Sequence, residues 1–484
     1  MSVRTPRPLR PLAALLAAVL ALPAAAAAQV TRAQDLRYPP LPALEIPQPQ
    51  RVVLDNGIVV MLLEDHELPL IEATALVRAG SRLDPADKVG LADLAASVMR
   101  TGGTAKLPSD QLDDWLESRA VSIEVAATND MARATLSSLK QDFPEALKVF
   151  ADVLRRPAFD PARLEVARNQ SIAEVSRQND EADSILFREF QEILYGAESP
   201  FARTPTYATL GAIRRDDLAA FHRRYFQPDR IVLGLVGDFR GEDALRLVRE
   251  AFGDWPRSSG AKDAEPVWRK EPSPGVYWAE KTDMTQSNVL IGHLGVRKDH
   301  PDYYALEVLN EVLSGSFASR LFSSVRTQKG LAYAVSGRVG SEWDHPGMAY
   351  LYVTTKTQTT GAAIQALLDE AKGVVSRPPT EQEVELGKQA LLNSFVFNVD
   401  SPRKVLSQQL SLELYGYPLD WLSRYRAGIE AVTTAQVREA GARHLRPGEL
   451  TILVVGPQEG RDRPLTDFGK VTTLDVTIPK PGAK

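Results

Sequence analysis

The chain is 484 residues long, 44% hydrophobic and 25% charged, with a formal net charge of −5. That length exceeds what one hydrophobic core usually supports, so two or more domains are expected. The mild negative charge argues against a nucleic-acid partner, and the absence of cysteine excludes disulfides, thiolate metal sites and a cysteine-linked lipid anchor.

The first residues read as an export signal. Arg4, Arg7 and Arg10 precede an apolar run from Leu12 to Leu22 and an alanine tract from Ala24 to Ala28. This is a positive n-region, an h-region and small residues suited to cleavage. Cleavage is expected after Ala28, with Ala26 the neighbouring choice, giving a signal peptide over 1–28. The apolar stretch is shorter than the roughly 20 residues that span a bilayer, which disfavours an uncleaved anchor. No later segment is long and apolar enough to cross a membrane, and the expected destination is the periplasm or secretion. Five prolines between Tyr38 and Gln50 predict an extended N-terminal arm over 29–50.

Residues 51–63 predict a hairpin with Asn56-Gly57 at the turn. A strand follows over 70–77, then helices over 88–101, 109–119, 142–155 and 161–176, with Pro161 suited to a first helical turn. Strands over 121–127 and 132–139 fall between the second and third of these helices. In the second half the same alternation returns. Strands are predicted over 286–296, 331–340 and 348–357, and helices over 301–313, 360–375 and 380–397. The stretch 255–274 is rich in Pro, Ser, Gly and charge and reads as a linker.

An internal repeat organises these elements. The stretch 210–228, running into Ile231-Val-Leu-Gly-Leu-Val-Gly-Asp238, has a counterpart in 429–447, followed by Leu450-Thr-Ile-Leu-Val-Val-Gly456. Pro228 pairs with Pro447 and Gly237 with Gly456 at an offset of 219; Arg156-Pro157 pairs with Arg377-Pro378 at 221. Two blocks at nearly one offset imply duplication. The predicted fold class is α+β: two homologous α/β-sandwich domains, 51–254 and 275–484, each a mostly antiparallel sheet backed by helices.

Two segments carry a family resemblance. One is Ala79-Gly-Ser-Arg-Leu-Asp84, continuing through Lys88-Val-Gly-Leu-Ala92 into a helix and Thr101-Gly-Gly-Thr104. The other is Leu313-Ser-Gly-Ser-Phe-Ala-Ser-Arg-Leu-Phe-Ser-Ser-Val-Arg326-Thr-Gln-Lys-Gly-Leu-Ala-Tyr333. Together they resemble the insulinase/pitrilysin-like zinc metallopeptidases, in particular the bacterial processing-peptidase-like branch, over nearly all of the chain after the signal. The resemblance implies two sandwich domains closing as a clamshell. It also implies a His-x-x-Glu-His helix whose histidines bind zinc with a glutamate about 77 residues beyond, the inner glutamate acting as general base.

This chain departs from that pattern. The first histidine position is Asp93, the base position Ala96 and the second histidine position Ser97, whereas the distal position keeps Glu174. Two carboxylates and a hydroxyl suit zinc poorly and are too few for calcium. No metal is therefore expected in this subunit, and zinc is expected in a partner. The six histidines, at 66, 222, 293, 300, 345 and 444, include no pair four apart. His222 reads as part of a polar helix patch and not as a ligand. Gly315 and Gly330 read as turn and cap residues.

The resemblance further implies an arginine and a tyrosine, seven apart, that reach the zinc site across the clamshell, bind substrate and stabilise the tetrahedral intermediate. Arg326 and Tyr333 occupy those positions; the alternative makes them a surface helix residue and a core aromatic. A guanidinium and a phenol can donate to peptide carbonyls and to a developing oxyanion. One half without its chemistry and one half with it predict a non-catalytic subunit of a heterodimeric zinc metallopeptidase. Its partner would be a homologous subunit with an intact His-x-x-Glu-His motif, its substrates peptides, and Arg326 and Tyr333 would act in trans. The alternative is a standalone periplasmic peptide-binding or scaffold protein.

Overall fold

A computed structural model describes residues 46–257 and 266–479. The expected signal peptide, most of the N-terminal arm and the middle of the expected linker lie outside the described residues. Residues 46–257 and 266–479 form one compact unit.

Each half builds one sheet. The first has six strands in the order β1 (Gln50–Val53), β2 (Val59–Glu64), β6 (Ile231–Gly237), β3 (Leu70–Val77), β5 (Ala132–Leu139), β4 (Ser122–Ala127). All neighbours are antiparallel except β2 and β6. The second has seven, in the order β13 (Val471–Thr473), β7 (Gly275–Ala279), β12 (Thr451–Val455), β8 (Gln286–Leu294), β11 (Pro346–Lys356), β10 (Ala334–Glu342), β9 (Val296–Arg297). Its centre is antiparallel and its edges parallel. Helices back each sheet, so the architecture is the predicted pair of α/β sandwiches in a clamshell.

The repeat is visible in the element bounds. Helices Arg215–Tyr225 and Thr434–His444 stand at the same offset of 219 as the sequence repeat. Each leads to a central strand closed by a glycine in a conformation that L side chains rarely adopt, Gly237 at φ +137° and Gly456 at φ +155°. A Cβ on Gly237 would lie 2.1 Å from the Leu70 carbonyl oxygen, so glycine is required there.

A second correspondence, at an offset of 220, was not predicted. Helix Ala182–Tyr195 matches helix Pro402–Tyr415, and both end in Leu-Tyr-Gly: Leu194-Tyr195-Gly196 and Leu414-Tyr415-Gly416. The glycines take φ +89° and +74°, ending each helix. Each helix packs on the other half's sheet. Ile185, Leu186 and Phe190 bury against Leu290 and Leu453, while Leu406 and Leu410 sit directly over Gly234 of β6. This explains a burial pattern that periodicity does not. Edge-side strands such as β5 alternate buried and half-exposed residues, but β6, β8 and β12 are buried on both faces.

Polar contacts join the halves at the ends of the exchanged helices. Tyr195 donates to the Pro346 carbonyl (2.6 Å), and Tyr415 donates to Asp130 (3.1 Å). Arg82 pairs with Asp344 at 2.5 Å, and Arg51 with Glu413 at 2.7 Å. Burial pushes the Asp344 carboxyl up, but hydrogen bonds from His345 and Arg82 outweigh it and hold the group at about 2. At the predicted hairpin, Asn56 is not an exposed turn residue. Its buried amide donates to the Phe252 and Trp255 carbonyls (2.8 and 3.2 Å), tying the turn to the end of the half.

Candidate functional site

The helix expected to carry the metal spans Leu91–Thr101. Its start is fixed by Asp84, which accepts from the N–H groups of Gly90 (2.8 Å), Leu91 (3.1 Å) and Ala92 (2.9 Å). Three otherwise unpartnered donors are thereby satisfied. Burial pushes the Asp84 carboxyl up to about 7, against the pull of these N–H groups. Gly90 takes φ +102°, and Lys88 pairs with Asp217 at 2.6 Å. The first family segment thus builds the entry to this helix. Sequence reading passed over Asp84, whose only signal is an acidic residue shortly before a glycine and an apolar helix.

The residues at the former metal positions part company. Ala96 is only 1% exposed and belongs to the apolar core of the first half. Asp93 and Ser97 lie on the outer side of the helix, where Ser97 uses its carbonyl to accept from the Thr101 hydroxyl (2.9 Å). Asp93 reaches solvent, yet protein crowds it enough to push its carboxyl up to about 6, first by desolvation and second by the charge of Glu174. Glu174 sits exposed on helix Pro161–Arg177, whose start is capped by Asp160. The fold therefore brings Asp93 and Glu174 within electrostatic range, as two carboxylates that repel. With no imidazole among them, Asp93, Ser97 and Glu174 do not fit the zinc that the fold family implies, and Ala96 offers no group to activate water.

The second half differs. Arg326 lies on a wide, π-type turn of helix, Phe322–Gln328, with its guanidinium 4.7 Å above the Phe322 ring. Tyr333 precedes β10, and its N–H donates to the Thr354 carbonyl (2.8 Å). Its side chain is 75% exposed. Among the described residues, neither the Arg326 guanidinium nor the Tyr333 hydroxyl has a hydrogen bond or ion pair. Gly330 takes φ +64° between them with open space around it. The segment is held from behind: Arg320 pairs with Glu383 (2.7 Å), and the Ser324 hydroxyl donates to Glu370 (2.7 Å).

The expectation that this chain has no metal-binding set of its own is overturned. Two groups of three potential ligands come together, His300/Asp302/His444 and Asp130/Asp344/His345, each with its ligand atoms within 4.8 Å of one another. Spacing arguments missed them because each neighbouring pair, His300 with Asp302 and Asp344 with His345, is completed by a residue more than 100 positions away, His444 or Asp130, that only the fold brings in. In the second group Arg82 already neutralises Asp130 (3.3 Å) and Asp344. His222 is buried rather than part of a polar patch. Its Nε2 donates to the Leu154 carbonyl (2.8 Å) and its ring stacks on Phe226.

Both halves match one family. Residues 59–204 correspond to the insulinase (peptidase family M16) domain, and residues 212–391 to the domain described as peptidase M16 inactive domain. The chain belongs to the M16 peptidase family. A Helicobacter pylori M16 relative described as non-peptidase homolog YmxG is 26% identical over 402 residues, 82% of this chain and 91% of that protein. A Bacillus subtilis relative described as uncharacterized zinc protease YmxG is 24% identical over 372 residues, 75% of this chain and 88% of that protein. A crystal structure of a peptidase M16 inactive domain from Pseudomonas fluorescens superimposes with a TM-score of 0.77 at 26% identity, covering 86% of this chain and 99% of that one. Among the described residues no helix is long and apolar enough to cross a membrane.

Proposed function

We propose that this M16 protein is a non-catalytic subunit of a heterodimeric metallopeptidase that cleaves peptides. Arg326 and Tyr333 reach the catalytic helix of a homologous partner carrying an intact His-x-x-Glu-His motif. One observation carries the reading: the two donors of the second half stand exposed and unengaged, while the base position of the first half is Ala96, closed into the core. A guanidinium can hold a peptide carbonyl and a phenol can donate to a forming oxyanion, so these side chains suit substrate and transition-state binding in trans. In this reading the export signal spans 1–28, the arm 29–50, the first domain 51–254, the linker 255–274 and the second domain 275–484. The protein acts in the periplasm.

The test is to purify the chain alone and together with an intact homologue from the same cell, and to assay fluorogenic peptides. The complex is expected to cleave and the lone chain to be inert. Tyr333→Phe in the complex is expected to lower kcat by about 100- to 1,000-fold without changing assembly by size exclusion. Cleavage by the lone chain, or unchanged turnover in the Tyr333→Phe complex, overturns the reading.

A second reading is a standalone peptide-binding or scaffold protein. It is favoured by the Helicobacter pylori relative's description as a non-peptidase homolog. Tight peptide binding by the lone chain, with no homologue co-purifying, would select it.

A further inference from the structure

Away from the degenerate helix, the His300/Asp302/His444 cluster joins two helix ends of the second half. Asp302 stands at the N-cap of helix Tyr303–Ser314, and His444 is the last residue of helix Thr434–His444. His300 lies in the turn just before Asp302. His444 Nε2 is 2.8 Å from Asp302 Oδ2, and His300 Nδ1 is 4.0 Å from the same oxygen. The two imidazoles meet edge to face, with ring centres 4.8 Å apart. Ligands about 2.0–2.1 Å from a tetrahedral zinc stand a little over 3 Å from each other, so separations of 2.8 and 4.0 Å bracket the required size.

Two further features point to a cation here. Asp302 occupies a capping position yet makes no side-chain cap, forgoing a contact generally worth about 1 kcal/mol. Its carboxylate is instead turned toward His444 and Arg443, both of which engage Oδ2, and among the described residues no donor reaches Oδ1. Arg443 is the cation now present, and its side chain is more than half exposed, so it can swing aside. His300 and His444 line an open groove of about 630 Å³, which leaves room for water or a ligand group at the remaining positions.

We propose that His300, Asp302 and His444 form a site for a borderline divalent transition ion such as Zn²⁺ or Co²⁺, independent of the lost zinc helix. Two imidazoles and one carboxylate are a donor set that such ions accept, whereas Mg²⁺ and Ca²⁺ prefer oxygen alone. Binding replaces the 3.1 Å hydrogen bond from the Asp302 N–H to His300 Nδ1 and displaces Arg443.

The experiment titrates metal-free full-length protein with Co²⁺, following visible absorption, and with Zn²⁺ by calorimetry. One ion per chain is expected, with the absorption of a four- or five-coordinate site. Asp302→Asn and His300→Gln are expected to weaken binding at least 10-fold, while Arg443→Ala strengthens it. Asp93→Asn, Glu174→Gln and His345→Ala are expected to leave it unchanged. Thermal melts without metal verify that each variant is folded; His300→Gln, in an inter-element turn, serves if Asp302→Asn is not. Absence of stoichiometric binding with metal at about 100-fold excess over protein, or binding lost with Asp93 or His345 instead, overturns the proposal. The readout is metal occupancy, so the result stands apart from any peptidase assay.

Discussion

Helix Leu91–Thr101 and the segment Phe322–Tyr333 are the two places where the proposed function puts the chemistry, and the structure treats them oppositely. The first is rigidly built, capped by Asp84 and packed through Ala96 into the core, but carries no imidazole. The second is also braced, through Arg320 and Ser324, yet presents its two polar groups to solvent without partners. A helix without zinc ligands thus still has a well-packed scaffold. The packing that positions a site and the groups that use it are separable, because burial and capping stabilise the fold whatever the outer face carries.

The largest expected effect tests the equivalence of the halves beneath this contrast. Phe190→Ala and Leu410→Ala each remove a fully buried side chain from an exchanged helix, and each should cost about 3–5 kcal/mol. Similar losses in chemical denaturation would show that both helices hold the clamshell equally. A loss in only one would break the symmetry. Next is Ala96→Glu, which returns the family's base to a position closed in apolar core. It should destabilise by about 3 kcal/mol, seen as a lower melting temperature. An unchanged melt would mean that the position opens to cleft water and that the contrast is shallower than the packing indicates.

Arg326→Ala should leave the stability of the lone chain within about 0.5 kcal/mol of the parent, because among the described residues the guanidinium stacks on Phe322 and makes no hydrogen bond or ion pair. In the proposed complex it should reduce kcat/KM by about 10-fold or more. The smallest effect concerns pH. The Asp93 carboxyl is raised to about 6 from an ordinary 3.8, so the folded state holds this proton more tightly than the unfolded chain. Stability from this group is full below about pH 4 and is lost as pH rises to about 6. Asp93→Asn should remove that slope and stabilise the protein at pH 7 by about 1 kcal/mol or less, after discounting for solvent screening. Equal slopes in the two proteins would show that neither burial nor Glu174 raises the Asp93 carboxyl.

The sequence made the duplication legible, since Gly237 and Gly456 mark strand ends where a Cβ has no room. It made the two-sandwich fold legible through alternating strands and periodic helices, and it showed Asp93, Ala96 and Ser97 where the resemblance expects two zinc ligands and a base. Helices Ala182–Tyr195 and Pro402–Tyr415 escaped notice although each carries an apolar face and the same Leu-Tyr-Gly ending. Nothing local says that a helix covers another domain's sheet. Only the tertiary structure decided that exchange, and with it the double burial of β6, β8 and β12. It also decided which ionisable groups meet. His300 and Asp302 find His444, and Asp130 finds Asp344, across sequence separations at which spacing carries no information. Local order is written in periodicity and turn chemistry, whereas the company a side chain keeps depends on how whole layers pack.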